Sequence, residues 1–339
     1  MKRWIAILML LVVAATGAVA ADAWRALQTR ITPSELPTTF VLEEGSSWSA
    51  LVRDLQRRQW LQAPRDAVYL RLFGRLNEQT RRIHAGEYRL VQPVTADELL
   101  AMLVAGDVVQ HSVTFIEGWT LDEALNALRA EERLRHTLPE KREQAIEQLR
   151  NTLGIEASNP EGWFLPETYH YTRGSTDVQI LERAHRAMKA ALEAAWAERV
   201  DDLPLDTPYA LLTMASIIEK ETGAPEERGR VAGVFTRRLQ RGMRLQTDPT
   251  VLYGRDPERS GRLRRIDLVT DTPYNTYTRG GLPPTPICLP GRASLQAVAN
   301  PADGTALYFV SRNDGTHVFS DTLAEHNRAV NRYQRGGGQ

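Results

Sequence analysis

Cysteine is almost absent from this chain: Cys288 is the only one in 339 residues. An intrachain disulfide is therefore excluded, and the fold must rest on its core and its hydrogen bonds. Histidine is scarce as well. The seven histidines include no His-x-x-x-His pair and none beside a cysteine pair, so the spacing of a zinc site is missing. Net charge is lacking too, since 42 Lys and Arg balance 42 Asp and Glu. That balance removes the global electrostatic case for nucleic acid or for a strongly acidic partner. There is no internal repeat, and no low-complexity tract beyond Gly336-Gly337-Gly338.

One long apolar run is present. Met1-Lys2-Arg3 precedes an uncharged stretch from Trp4 to Ala21, just long enough to cross a bilayer. The two basic residues place that end in the cytoplasm and the body of the chain outside it. Ala18-Val19-Ala20 resembles a small-residue cleavage site, so a removable signal peptide is the competing reading. The length of the run favours an uncleaved anchor. The expected location is the bacterial inner (cytoplasmic) membrane, single-pass, with the remainder in the periplasm. An exported chain without disulfides suits the bacterial envelope.

The expected fold class is α+β. Residues 1–21 read as a transmembrane helix and 22–37 as a juxtamembrane stalk ending at Pro33 and Pro37. Residues 38–107 read as a small α+β module. Its strands are Thr38–Leu42 and Gly86–Leu90, and its helices cover Trp48–Arg57 and about Pro64–Leu76. A third helix opens at Thr95-Ala96-Asp97-Glu98, a capping-box pattern. Residues 108–158 connect, through a strand at His111–Ile116 and one long charged helical stretch over about Thr120–Leu153. From 159 to 335 the chain alternates buried helices with long loops rich in Pro, Gly, Asn, Tyr and Thr. Such loops on a rigid scaffold are where binding and catalysis concentrate.

The most informative segment is Met214-Ala215-Ser216-Ile217-Ile218-Glu219-Lys220-Glu221-Thr222-Gly223. Leu211, Leu212, Met214, Ala215, Ile217 and Ile218 surround the helix axis, so the helix should be buried. Gly223 is the expected stop. Glu219 stacks over Leu212, Ala215 and Ser216 at helical spacing. Lost hydration and the negative end of the helix dipole both favour its protonated form, as a general acid requires. Glu221 lies about 200° around the helix and reads as a supporting or structural residue. The alternative reading of both acids is a solvated last turn.

Four loop segments add aromatic, amide and carboxylate groups. They are Glu161–Tyr169 with Glu167, Arg244–Thr250 with Gln246 and Asp248, Thr272–Tyr277 with Tyr274, Asn275 and Tyr277 leading into Gly280–Ile287, and Asn300-Pro301-Ala302 before a strand at Leu307–Val310. Aromatic faces take the apolar faces of sugar rings, and amides and carboxylates take the hydroxyls. Each segment also has a plain turn-forming reading. His317 and His326 read as structural, on a strand edge and in the closing helix, and Cys288 receives no role.

In chain order, Phe164-Leu165-Pro166-Glu167-Thr168-Tyr169, Ser216-Ile217-Ile218-Glu219-Lys220-Glu221-Thr222, Leu245-Gln246-Thr247-Asp248-Pro249-Thr250, Tyr274-Asn275-Thr276-Tyr277 and Gly281-Leu282-Pro283-Pro284 resemble the endolytic murein transglycosylase (YceG-like) family. The resemblance covers most of the chain, and residues 38–107 resemble the family's LysM-like subdomain. It implies cleavage of the MurNAc–GlcNAc β-1,4 bond of peptidoglycan strands with formation of 1,6-anhydroMurNAc ends. It places the catalytic glutamate on Glu219; Gln246, Asp248, Tyr274, Asn275, Tyr277, Glu167 and Glu221 are the candidate substrate-binding or supporting residues from the loop and helix readings above. One acid is chemically sufficient when the sugar's own C6 hydroxyl is the nucleophile, because one carboxyl can protonate the leaving oxygen and then accept the hydroxyl proton. No metal or cofactor is implied. Partnership with peptidoglycan synthases and termination of nascent strands follow from the resemblance alone. A glycoside hydrolase with Asp248 or Glu167 as second carboxylate, and a non-catalytic wall-binding scaffold, are the competing functions.

Overall fold

The computed structural model describes residues 2–255 and 261–335; the terminal Gly336–Gly338 tract lies outside the described residues. The chain divides into two compact units, Met1–His111 with Tyr171–Gly174, and Ser112–His170 with Ser175–Gln339.

The first unit opens on helix α1 (Lys2–Gln28). Its apolar side chains find no core: Trp4 is 75% and Leu10 71% exposed. A helix that is apolar all round and unburied is compatible with a membrane span. The helix runs on into the expected stalk as far as Gln28. There Asp22 accepts a hydrogen bond from Tyr69 Oη at 2.9 Å and lies 3.6 Å from Arg65. Strand β1 (Thr38–Leu42), helices α2 (Trp48–Arg57) and α3 (Asp66–Leu76), strand β2 (Gly86–Leu90) and helix α4 (Ala96–Ala105) follow. β1 and β2 are antiparallel, with Thr38 opposite Leu90 and Leu42 opposite Gly86. Ser47 caps α2, and the Thr95–Glu98 capping box opens α4. Phe40, Trp48, Leu51, Val52, Leu55, Tyr88 and Leu99 fill the core between the strands and the helices. Phe40 stacks on Tyr88 at 5.6 Å.

Strands β3 (Gln110–Thr114) and β4 (Thr168–Thr172) form a second two-stranded sheet. The charged helical stretch over Thr120–Leu153 is two helices, α5 (Leu121–Arg129) and α6 (Arg142–Leu153). The break has two causes. Pro139 cannot continue a helix. The Asp177 carboxylate accepts the backbone N–H groups of Thr137 and Leu138, diverting them from a helical ladder.

The second unit is built around helix α8 (Pro208–Glu221), which packs against α7 (Asp177–Ala197), α9 (Arg228–Gln240) and α12 (Arg292–Ala299). Thr207 caps α8 and Pro208 occupies its first turn. Every side chain from Leu211 to Ile218 is buried, as the sequence pattern requires. The helix ends one residue earlier than a glycine cap would place it. Thr222 takes an extended backbone, φ −142°, and its hydroxyl accepts the Ala224 N–H; Gly223 has no left-handed backbone. Short helices α10 (Asp248–Tyr253) and α11 (Arg265–Val269) precede a stretch, 270–291, without helix or strand. Antiparallel strands β5 (Tyr308–Ser311) and β6 (His317–Ser320) and helix α13 (Leu323–Val330) close the unit. Cys288 is buried and its Sγ donates to the Ser216 carbonyl at 3.2 Å, while Ser216 Oγ accepts the Ile287 N–H. The lone cysteine thus ties the long loop to α8, and burial pushes its thiol well above the usual range.

Candidate active site

The last turn of α8 presents its two carboxylates to opposite sides, as the helix period demands. Glu219 turns toward the N-terminus of α12. Its Oε2 accepts the Gly291 N–H at 2.9 Å and the Ser294 hydroxyl at 2.7 Å, and its Oε1 lies 3.4 Å from Arg228. A carboxylate at a helix N-terminus, held by backbone and hydroxyl donors, is a structural tie of known strength. Its side chain is 5% exposed. Glu117 shares Arg228 at 3.5 Å. Burial, and then the neighbouring Glu219 charge, raise the Glu117 carboxyl above its ordinary range, with Arg228 opposing.

Glu221 turns the other way, onto a cleft of about 430 Å³ lined also by Arg238, Gln246, Asp248, Tyr277, Tyr308, His317 and His326. The Thr247 hydroxyl donates to its Oε1. Burial, aided by the Asp248 charge, raises the Glu221 carboxyl to about 7; the Thr247 bond, His317 and Arg238 pull the other way. It is therefore a carboxyl that carries its proton near neutral pH, in contact with a cavity.

The walls explain why the loop residues fall where they do. Gln246 adopts a left-handed backbone, φ 50°, and its N–H meets the Thr276 carbonyl at 3.2 Å. Thr247 N–H reaches Thr276 Oγ1 at 3.0 Å, and Thr250 and Thr276 hydroxyls lie 2.9 Å apart. The 244–250 and 274–277 segments are thereby stitched together. Tyr277 Oη donates to Asp248 Oδ1 at 2.6 Å. Arg238, buried, donates to the carbonyls of Leu245 at 2.6 Å and Leu307 at 2.7 Å and lies over the Tyr308 ring. It joins the loop wall to the strand wall. Tyr308 stacks on His326 at 5.3 Å.

Of the residues expected from sequence, Glu221, Gln246, Asp248 and Tyr277 meet in this cleft. Glu219, Tyr274, Asn275 and Glu167 are not among its lining residues. Asn275 is buried, donating to the carbonyls of Asp267, Leu268 and Thr270 and accepting the Tyr277 N–H; it shapes the turn that presents Tyr277. Tyr274 bonds Thr285 at 2.9 Å and packs on Tyr253. Glu167 pairs with Arg292 at 3.1 Å on the exposed surface. Arg238, Tyr308, His317 and His326 were not anticipated at the site. His317 Nδ1 lies 2.7 Å from Glu227 Oε2, a partner 90 positions away that no local spacing reveals. No group of three His, Cys, Asp or Glu arranged to hold a metal ion occurs among the described residues.

A second buried carboxyl lies outside the cleft. Glu161 accepts the Leu121 N–H at 2.8 Å and the Tyr253 hydroxyl at 3.1 Å, and burial raises it to about 7. A carboxyl raised in the folded state stabilises fully below its unfolded pKa of about 4.3 and loses that contribution as pH rises through about 7. Glu161→Gln removes the titration. Wild type minus variant stability, from urea unfolding between pH 4 and 8, is therefore expected to fall across this window. A flat difference would contradict the buried, proton-bearing state.

The cleft thus sets a carboxyl raised to about 7 beside hydroxyl, amide and aromatic groups. Residues 40–332 match the model of the YceG-like family. The chain is 29% identical over 307 residues to the endolytic murein transglycosylase of Bacillus subtilis, covering 86% of this chain and 83% of that protein. The endolytic murein transglycosylase of Streptococcus pneumoniae is 29% identical over 283 residues, covering 73% of this chain; the chain spans 50% of that protein's length. A 2.6 Å crystal structure of a YceG-like protein from Listeria monocytogenes aligns with a TM-score of 0.55 and 28% identity, over 86% of this chain and 98% of that one. With the family model matched over all but the chain's ends, this chain belongs to the YceG-like family.

Proposed function

We propose that this chain is an endolytic murein transglycosylase, with Glu221 as the acid that protonates the leaving glycosidic oxygen. The observation that carries this reading is the raised Glu221 carboxyl opening on the cleft beside Gln246, Asp248 and Tyr277. The acid moves from Glu219 to Glu221 because the oxygens of Glu219 are engaged by Gly291, Ser294 and Arg228. A proton donor must reach the substrate, and geometry comes before pKa. In the reaction, Glu221 gives its proton to O4 as the C1–O4 bond breaks. The C6 hydroxyl then closes on C1, leaving a 1,6-anhydroMurNAc end. Tyr277 offers an aromatic surface to a pyranose ring, and Gln246 and Asp248 offer partners for hydroxyls.

Asp248 shares the cleft, so a hydrolase using it as second carboxylate is the competing reading. Glu167, paired with Arg292 on the surface, does not line the cleft, which favours Asp248 over it in that reading. Full-length protein incubated with glycan strands, followed by mass spectrometry of the new ends, separates the two. Ends lighter by one water are expected, and ordinary reducing ends would establish hydrolysis instead. The apolar α1 supports a single-pass anchor with the cleft-bearing unit outside the cytoplasm. The order β1–α2–α3–β2 supports a LysM-like glycan-binding role for residues 38–107. An anchored cleft also fits termination of nascent strands beside their synthases.

A further inference from the structure

The C6 hydroxyl must lose a proton as it attacks C1, and the cleft holds a second group able to take it. We propose that His317 is the base that accepts this proton, so that the site works with an acid and a separate base. The inference rests on the transglycosylase reading above.

Four observations carry it. His317 lines the same cleft as Glu221. The buried Glu227 carboxylate spends both oxygens on His317: Oε1 accepts its backbone N–H at 3.0 Å, and Oε2 meets Nδ1 at 2.7 Å. A carboxylate at Nδ1 assigns the ring proton to that nitrogen and leaves Nε2 with its lone pair free to accept. Nε2 has no hydrogen-bond partner among the described residues. Finally, Phe309 meets the ring edge-on at 5.3 Å and Phe319 flanks it, so the ring cannot swing away without losing packing. A carboxylate that orients the imidazole of a cleft-lining residue from its Nδ1 side is the arrangement of a general base. The ionisable groups around it are Glu227 before α9, Glu221 on α8, Arg238 on α9, Asp248 on α10, Tyr277 in the long loop, Tyr308 on β5 and His326 on α13.

The protons balance. Glu221 gives one to O4 as C1–O4 breaks. C1–O6 forms, and the O6 proton passes to His317 Nε2. The resulting imidazolium returns its proton to the Glu221 carboxylate through the cleft, and the site is reset with no net consumption of acid or water.

The test is the pH profile of kcat on glycan strands, with product ends read by mass. The wild type should show two limbs: a fall at low pH as the base becomes protonated, and a fall above about 7 as Glu221 loses its proton. His317→Gln keeps a neutral hydrogen-bonding side chain but cannot titrate. It should lower kcat by about 10²–10⁴-fold and abolish the low-pH limb while keeping the high-pH one. Glu227→Gln keeps the imidazole but takes away the carboxylate that orients it, and should lower kcat while the high-pH limb is retained. If both limbs survive His317→Gln, or if neither variant lowers kcat, Glu221 serves as both acid and base and the proposal is overturned. Should His317→Gln not fold, the kcat of Glu227→Gln decides alone. Reducing ends from the wild type would instead remove the transglycosylase reading itself, whatever the variants do.

Discussion

Glu221→Gln is expected to lower glycan-strand cleavage by about 10²–10⁴-fold while leaving the fold intact. The amide preserves shape and can still accept the Thr247 hydroxyl bond, but it has no proton to deliver to O4. Stability should shift in an informative direction. Because the Glu221 carboxyl is raised to about 7, its contribution is present below the unfolded pKa of about 4.3 and is lost as pH rises through about 7. The neutral variant escapes that loss, so it should melt no lower than wild type at pH 8 and gain relative to it between pH 4 and 8. Activity and melting must be measured on the same preparations. Wild-type rates from a folded Glu221→Gln protein would remove the residue from catalysis.

Glu219→Ala should behave in the opposite manner, costing stability rather than chemistry. It deletes the acceptor for the Gly291 N–H and the Ser294 hydroxyl at the start of α12. It also removes one of the two carboxylates beside Arg228, whose side chain is 14% exposed. Breaking a buried pair by removing one partner costs about 3–5 kcal/mol. Glu117 stays near Arg228, which places the expected loss at the lower end, about 3 kcal/mol, or a fall in melting temperature on the order of 10 °C. The folded fraction should still make the same product. A Glu219→Ala protein that melts like wild type yet cleaves nothing would return the acid role to Glu219.

The two variants bear on a point where the sequence was legible only halfway. The capping box at Thr95, the β1 and β2 strands and the burial of α8 all follow from local pattern. So do the aromatic and amide loops, of which Gln246, Asp248 and Tyr277 reach the cleft. What local pattern did not show were the partners that side chains take in the fold. The amide of Asn275, a candidate ligand by its place beside Tyr274 and Tyr277, donates to three carbonyls within eight positions. His317 read as structural because nothing in its spacing suggests a ligand set, and its partner Glu227 lies 90 positions away. The break within Thr120–Leu153 was not legible either, because the Asp177 carboxylate that captures Thr137 and Leu138 comes from another helix.

By itself the sequence determined that a buried helix ends in two carboxylates about 200° apart, and that the surrounding motifs belong to one family. It could not determine which carboxylate opens on the cleft. An amphipathic helix announces its open side through its polar face. α8 has none, because Leu211 to Ile218 are buried on every side. Only the packing of α12 against one flank of α8 and the convergence of the 244–250 loop, Tyr277 and the β5–β6 pair on the other decided it. Glu219 was enclosed by the first, and Glu221 was left facing the cleft.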